Sequence, residues 1–535
     1  MNTNEHIIDI VKFTEKKGNL VFKAGKKQIL LIEVDGQIFA LDNRCPHEGY
    51  PLSEGGTNKN CVLTCNWHNW KFDLKTGECL LGGDNVQTYP VLKKENKIHI
   101  NIGGPSKEEI KESIFKGLKV AFSKRQYGRL AREITRLDFN EIDPLSAVKQ
   151  AILWSYDKFE YGMTHAYAAC SDWLSFYHHI QSSPNKEKEK RIVCLTEAID
   201  HIAYDALRHP QYSFTEEILP FNEGQYCNAI EKEDEKTAIS LINGAMKEGL
   251  SFQDLEKSLT EAALAHYNDF GHSLIYVYKA SSLSSFFKDP EIDACLLKAL
   301  TRSLVNTTRE DLIPDFKDYH PSLKELKNLN FGKNENIPSF EGLKNQRVKA
   351  SLIWVLEHSK TYSAESLYKR LLLANAFNMT TYNLKFQESY NNPVTQNVGW
   401  LDFTHALTFS NAVRVLCTKY PHLWPMALLQ MACFYGRNSF FTDPELDTNP
   451  FSVPDPQDFE EQILEKILDH GMALPIYSAH LLKTSFALFE EGKRLNEKEK
   501  GILYTPLNRF LHSPLKAKHA RRLATQAIHL VSKDF

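Results

Sequence analysis

Apolar and polar positions alternate with a period of two up to about residue 104, then recur with a period near 3.6 through most of the remaining chain. QILLIEV (28–34) and QIFALD (37–42) flank Asp35-Gly36, a dipeptide that accepts the positive φ values of a tight hairpin turn. CVLTC (61–65) predicts a short strand. WKFDL (70–74) and ECLL (78–81) flank Lys75-Thr76-Gly77, and TYPVLKK (88–94) and KIHINI (97–102) flank Glu95-Asn96, predicting two more hairpins. Gly103-Gly104-Pro105-Ser106 ends the alternation. The longer period then predicts helices at 107–122, 145–160, 164–182, 187–208, 232–248, 252–287 (interrupted), 289–305, 346–358, 362–378, 403–418, 424–436, 458–470, 473–491, 497–511 and 515–531. Segments 312–343, 386–400 and 440–456 are rich in Pro, Asn, Asp and Lys and read as loops. The fold class expected is multidomain. A small all-β domain spans 1–104 and a large all-α domain spans 105–535, with 312–343 marking a sub-boundary between two bundles.

Composition adds exclusions. The net charge of −3 over 535 residues, with both signs interspersed, gives no field that would select nucleic acid or an anionic membrane. The apolar run Leu423–Tyr435 is too short to span a bilayer and reads as a buried helix. The opening MNTNEHIIDIVKF lacks the basic-then-apolar order of a secretory signal. Ten cysteines in a chain of this length form no disulfide framework. These readings place the protein in a reducing cytoplasm, with no nucleic-acid or membrane partner expected.

The spacing that carries chemistry is Cys45-x-His47, then Cys65-x-x-His68. Two thiolates and two neutral imidazoles suit a zinc ion or a two-iron cluster. Each loop supplies one Cys and one His. That is the distribution a [2Fe–2S] centre needs when two Cys hold one iron and two His hold the other. Residues 7–102 resemble a Rieske domain of the ferredoxin and oxygenase kind. The likeness extends to His68-Asn-Trp70-Lys-Phe72, Gly77 and Tyr89-Pro90-Val91. The resemblance implies that Cys45 and Cys65 bind one iron and that His47 and His68 bind the other. Two departures stand out. Neither loop carries the extra Cys of the respiratory type, and Trp70 and Phe72 stand where that type places hydroxyls that hydrogen-bond sulfur. Without those bonds the potential is expected near the low end of the Rieske range.

A cluster moves one electron and needs a destination. The His-x4-His with a nearby Asp that serves mononuclear iron in Rieske oxygenases is not found, nor is the sheet pattern that houses it. No Glu-x-x-His pair recurs on two helices either. Instead Asp269-Phe-Gly-His272-Ser-Leu resembles Asp402-Phe-Thr-His405-Ala-Leu, with Thr164-His165-Ala-Tyr as a looser relative, and each His opens an apolar stretch. On one reading Asp269 and Asp402 are N-caps. On another, helix N-termini hold the imidazoles neutral, able to ligate metal or polarise a carbonyl. His266, Asp269 and His272 share one third of a helix circumference if the helix is continuous. Glu197/His201 and Asp205/His209 stand at i, i+4, a spacing that more often marks pairing on a solvated face. His165-Ala-Tyr-Ala, Gly271-His272-Ser-Leu-Ile and Asp402-Phe403-Thr-His405 give the helical part a resemblance to the questin-oxidase-like family. That resemblance implies oxidative chemistry on an aromatic, polyketide-like small molecule.

The expectation is an oxidoreductase, an oxygenase in which the cluster feeds a helical-domain centre of His165, His272 and His405 with Asp269 and Asp402 as orienters. That centre would hold a second iron or a haem, or would polarise a substrate carbonyl directly. A reductase or ferredoxin would donate the electrons. The alternative is a non-catalytic electron carrier or redox sensor with a helical docking scaffold.

Overall fold

The computed structural model describes residues 5–103, 106–183, 187–206 and 210–533. The chain forms two compact units, Met1–Pro144 and Leu145–Phe535.

The first unit contains β1 (Glu5–Asp9), α1 (Ile10–Glu15), β2 (Asn19–Ala24), β3 (Lys27–Val34), β4 (Gln37–Asp42), β5 (Gly56–Thr57), β6 (Val62–Thr64), β7 (Lys71–Asp73), β8 (Cys79–Leu81), β9 (Thr88–Tyr89), β10 (Val91–Lys94) and β11 (Lys97–Asn101). They build three antiparallel sheets ordered β1-β11-β10, β2-β3-β4-β9 and β5-β6-β7-β8. The predicted hairpins appear in register, with Val34 opposite Gln37 and Lys94 opposite Lys97. Asp35 and Glu95 adopt positive φ at their turns. β3 buries both faces: Leu30 and Ile32 face one cluster with Leu41, Leu63 and Phe72, and Ile29 and Leu31 face another with Phe13, Ile98 and Ile100. That double burial is why QILLIEV reads as a nearly continuous apolar run.

Two helices complete the same unit, α2 (Lys107–Ser123) and α3 (Tyr127–Phe139). Ser106 and Glu109 form a capping box that starts α2. The end of the β texture at 104 therefore does not coincide with the limit of the compact unit. The reason is ionic: Arg129 and Arg132 of α3 pair with Asp84, at 3.0 and 2.6 Å, and tie the helix to the loop after β8.

The second unit is helical. Its first half comprises α4 (Leu145–Leu153), α5 (His165–Ser182), α6 (Lys188–Ala206), α7 (Glu223–Glu231), α8 (Glu235–Lys247), α9 (Phe252–Leu264), α10 (His272–Phe287), α11 (Pro290–Val305) and α12 (Tyr319–Leu326). Its second half comprises α13 (Val348–Ser359), α14 (Ala364–Thr380), α15 (Lys385–Glu388), α16 (Trp400–Lys419), α17 (Trp424–Asn438), α18 (Pro456–Leu468), α19 (Pro475–Gly492), α20 (Glu497–His512) and α21 (Ala520–Val531). Segment 312–343 does not divide it. α12 lies within that segment and packs on α13 and α17, while α10 packs on α16 and α5 on α19 across it. The central helices α5, α10, α16 and α19 bury residues all round, the signature of helices enclosed by others. Among the described residues, no helix is long and apolar enough to cross a membrane.

Candidate functional site

Two histidine-containing sites stand out, one in each unit. In the first unit, loops 45–50 and 65–70 share one backbone design. Cys45 N–H donates to Tyr50 O (2.9 Å) and Gly49 N–H to Cys45 O (2.8 Å). Cys65 N–H donates to Trp70 O (2.8 Å) and Asn69 N–H to Cys65 O (3.0 Å). The fifth residue of each loop, Gly49 or Asn69, takes the left-handed conformation that closes the turn, and these residue types accept it cheaply. Both cysteines are buried. The Cys45 thiol, beside that of Cys65, is pushed up to about 11, chiefly by burial. The imidazoles lie further out, with His47 Nδ1 3.1 Å from His68 Nδ1. His47 stacks on Trp70, ring centroids 4.6 Å apart and planes 18° apart. Two sulfurs inside and two Nδ1 atoms outside, each pair drawn from both loops, fit the donor set of a two-iron centre with one iron per pair.

In the second unit, four histidines from four helices meet. His165 and His272 are the first residues of α5 and α10, His405 lies in the second turn of α16, and His480 lies in α19. His272 Nε2 is 3.0 Å from His165 Nε2, and His480 Nε2 is 2.8 Å from His405 Nε2. The His272 and His405 rings are 4.2 Å apart, centroid to centroid, and those of His165 and His480 are 4.9 Å apart. His272 Nδ1–H donates to Asp269 O (2.5 Å) and His480 Nδ1–H to Ile476 O (2.6 Å), which leaves Nε2 of each as a lone pair aimed inward. Burial and the neighbouring rings drive His165 and His405 well below the usual imidazole range. Burial with Lys483 nearby does the same to His480 and brings His272 down to about 3. Each shift favours the neutral imidazole, the form that metal ligation requires. Lys483, one turn after His480, has a buried Nζ with no hydrogen-bond partner among the described residues, and burial lowers it to about 7.

The segment before His272 is strained. Asp269, Phe270 and Gly271 all have positive φ (48°, 43° and 79°). The bend is the interruption expected within 252–287, and α10 begins at His272 directly after it. Non-glycine residues held in this region cost of order 1–3 kcal/mol each and persist only where packing enforces them. A cleft of about 500 Å3 reaches His165, walled by Tyr161, Met163, Tyr204, Tyr276, Asp205 and Asp269. Burial raises the Asp269 carboxyl to about 7.

Residues 8–90 match the Rieske [2Fe–2S] domain family. The ferredoxin subunit of 3-phenylpropionate/cinnamic acid dioxygenase from Photorhabdus laumondii is 40% identical over 76 residues, covering 14% of this chain and 72% of that protein. The ferredoxin component of the alkene monooxygenase system of Xanthobacter autotrophicus is 36% identical over 81 residues, covering 15% of this chain and 66% of that protein. The chain belongs to the Rieske [2Fe–2S] family. Among solved structures, the ferredoxin of carbazole 1,9a-dioxygenase from Nocardioides aromaticivorans IC177 aligns at 20% identity and a TM-score of 0.15, over 16% of this chain and 86% of that chain. The Rieske domain is homologous to ferredoxin components of oxygenase systems, and its cofactor is a [2Fe–2S] cluster.

Outside the Rieske domain, the structure corrects several expectations. Asp402 is not an N-cap. It is the third residue of α16, accepts the Gly399 N–H at 2.9 Å and pairs with Arg437 at 3.2 Å. Asp269 does not cap α10 either; Gly271 holds that position, and Asp269 meets His272 through its backbone carbonyl. His266 is separated from His272 by the bend and instead contacts Glu231 and Asp311. Glu197 and His201 are buried, not solvated, and His470 joins them, 3.2 Å from Glu197. His209 lies outside the described residues. His480 carries no sequence signal of its own, because no Asp-Phe-x-His signature precedes it: PIYSAHLL offers only a lone His on an apolar helix.

Proposed function

We propose that the protein is an oxygenase-type oxidoreductase in which Cys45, His47, Cys65 and His68 hold the [2Fe–2S] cluster and His165, His272 and His405, with His480 beside them, hold a single iron ion. The observation that carries this reading is that His165, His272 and His405 each bring a ring nitrogen within 4.8 Å of the others. At the 2.0–2.1 Å typical of metal–imidazole bonds, neighbouring ligands at right angles lie roughly 2.9 Å apart, and the paired Nε2 separations are 3.0 and 2.8 Å. Three buried ring nitrogens this close together suit a bare ion. A purely histidine donor set at neutral charge suits Fe, Cu or Zn; the fused electron-transfer domain favours the redox-active iron.

The cluster, when bound, supplies electrons one at a time. The chain's own residues do the rest. Asp269 O fixes the tautomer of His272, so that this ligand is oriented before the ion arrives, and Ile476 O fixes that of His480 beside His405. Tyr161, Tyr204 and Tyr276 offer aromatic walls to a small molecule. No Lys or Arg is present among the described lining residues, whereas Asp205 and Asp269 are, which disfavours an anionic substrate and favours an uncharged aromatic compound of the polyketide-like kind. Asp269, poised near neutrality, can hold or release a proton at the wall of the cleft. The electron donor in this reading is a separate reductase or ferredoxin.

Metal analysis of the purified full chain tests the reading. About three irons and two sulfides per chain are expected. His272→Ala should lose one iron and all oxygen consumption while keeping the Rieske EPR signal. Two irons in the unsubstituted chain, with no oxygen uptake under reductant, would leave only an electron carrier with a helical scaffold.

A further inference from the structure

The cluster ligand His47 is supported from outside the β module. Its ring stacks on Trp70, and Trp70 in turn rests on the turn after β8. A Cβ at Gly82 would lie 2.4 Å from Trp70 Cδ2, and one at Gly83 would lie 3.1 Å from Trp70 Cη2, so the indole sits flat on bare backbone. The next residue, Asp84, is 1% exposed. Its carboxylate is met by Arg132 Nε at 2.6 Å, Arg129 Nε at 3.0 Å and Arg136 Nη1 at 3.7 Å, all from α3. Glu133, also buried, completes the group through Arg136 at 2.8 Å. α2 closes on the same group: a Cβ at Gly117 would fall 2.2 Å from Glu133 Oε1. A cavity of about 410 Å3 lies beside these parts, lined by His47, Trp70, Gly82, Gly83, Arg129 and Arg132.

We infer that the α2–α3 hairpin is a working part of the redox centre: through Asp84 and the Gly82-Gly83 turn it fixes Trp70 against His47, and its arginines set the potential of the cluster. Asp84, Arg129, Arg132 and Trp70 are positioning residues. None is needed as a ligand. The ion group carries three cations against two carboxylates, so it places a net positive charge beside the imidazole edge, where the incoming electron is stabilised by it. Asp84, Glu133 and Arg129 are largely buried and are screened far less than surface charges, while Arg132 and Arg136 are about one third exposed. An otherwise unexplained sequence feature is accounted for: a helix that carries Arg-x-x-Arg-Glu-x-x-Arg alongside its buried apolar stripe.

The inference rests on the assignment of His47 as a ligand. Failure of that assignment would appear as absence of a Rieske EPR signal in the unsubstituted chain. The test uses the full chain with its cluster and compares midpoint potential and EPR g-values. Arg132→Gln removes a cation and should lower the potential, displacing the reduction equilibrium about three- to tenfold toward the oxidised form, where tenfold corresponds to 59 mV for one electron. Asp84→Asn removes an anion and should move it the opposite way. Trp70→Leu should shift the g-values. Lys93→Gln, the same charge change on β10, should leave both readings in place. Unmoved potential and g-values in Arg132→Gln and Trp70→Leu, with cluster content intact and only thermal stability lowered, would reduce the hairpin to a structural brace and overturn the inference. Should Asp84→Asn fail to accumulate, Arg132→Gln still decides, since its side chain is a third exposed and tolerates replacement.

Discussion

His480 Nε2 lies 2.8 Å from His405 Nε2 while His480 Nδ1–H is already committed to Ile476 O. The tautomer of His480 is thereby fixed, and its remaining lone pair can face only a proton on His405 or an ion between them. The same logic holds for His272, tied to Asp269 O and facing His165.

His405→Ala should therefore strip the helical unit of its metal. Removing a partner one bond beyond a ligand costs 10–100-fold in affinity, and removing the ligand itself should exceed about 100-fold. Metal content after dialysis should fall by one iron per chain, with the Rieske signal unchanged.

Gly271→Ala should disturb the same centre without touching a ligand. Gly271 has φ 79°, and an added Cβ would lie 2.7 Å from Phe409 Cδ2. The left-handed conformation alone costs about 1–2 kcal/mol for an alanine. A lower melting temperature together with partial loss of the helical metal is expected, both measurable on one preparation.

Asp311→Asn should destabilise the second unit by about 3 kcal/mol, the scale for breaking a buried ion pair. Asp311 has a fully buried side chain and receives Arg309 Nε at 2.8 Å and His320 Nε2 at 2.6 Å. Burial would raise its pKa, but the hydrogen bonds from Arg309, His266 and His320 prevail and hold the carboxyl well below the usual range. Its stabilisation is therefore present above the unfolded-state value near 4 and lost as pH falls below it. Urea unfolding at pH 7 and pH 3.5 should show the gap between wild type and variant narrowing at the lower pH.

Glu310→Gln should act with the opposite sign. Burial raises Glu310 to about 8, and one of its oxygens has no hydrogen-bond partner. The folded state binds this proton more tightly than the unfolded chain, so its stabilising contribution is complete below about pH 4.5 and is lost as pH rises toward 8. Melting temperature should fall less steeply across that window in the glutamine variant.

The Rieske centre should titrate near the low end of its range, about −150 mV. Trp70 stacks on His47 and Phe72 is fully buried, and neither offers a hydroxyl to sulfur. Spectroelectrochemical reduction measures this directly, and a value above about +100 mV would contradict it.

The β module is legible in the sequence because period-two alternation, Asp35-Gly36 and the Cys/His spacing all act locally. The two strands at its start are not, since EHIID and NLVFKA alternate weakly along partly exposed surfaces. α3 escapes a periodicity reading because its apolar stripe, Leu130, Ile134 and Leu137, is narrow and the rest of its inward face is charged. In the helical unit, His165, His272 and His405 are visible as histidines opening apolar stretches. Their convergence is not, because residues 107 positions apart meet only through helix packing that no local pattern encodes. The role expected of Asp402 fails for a related reason: its carboxylate is engaged by a free backbone N–H and by Arg437 instead of by an imidazole.

The ligands of the helical centre enter the chain at 165, 272 and 405, so an ion there would fasten together segments that span much of the second unit. Closing such long loops in the unfolded chain is entropically expensive, and a bound ion recovers that expense only in the native state. Apo and metal-loaded protein should then differ in cooperativity as well as in melting point: the ion acts as a rivet through α5, α10 and α16, and its removal lets those three helices part company one at a time.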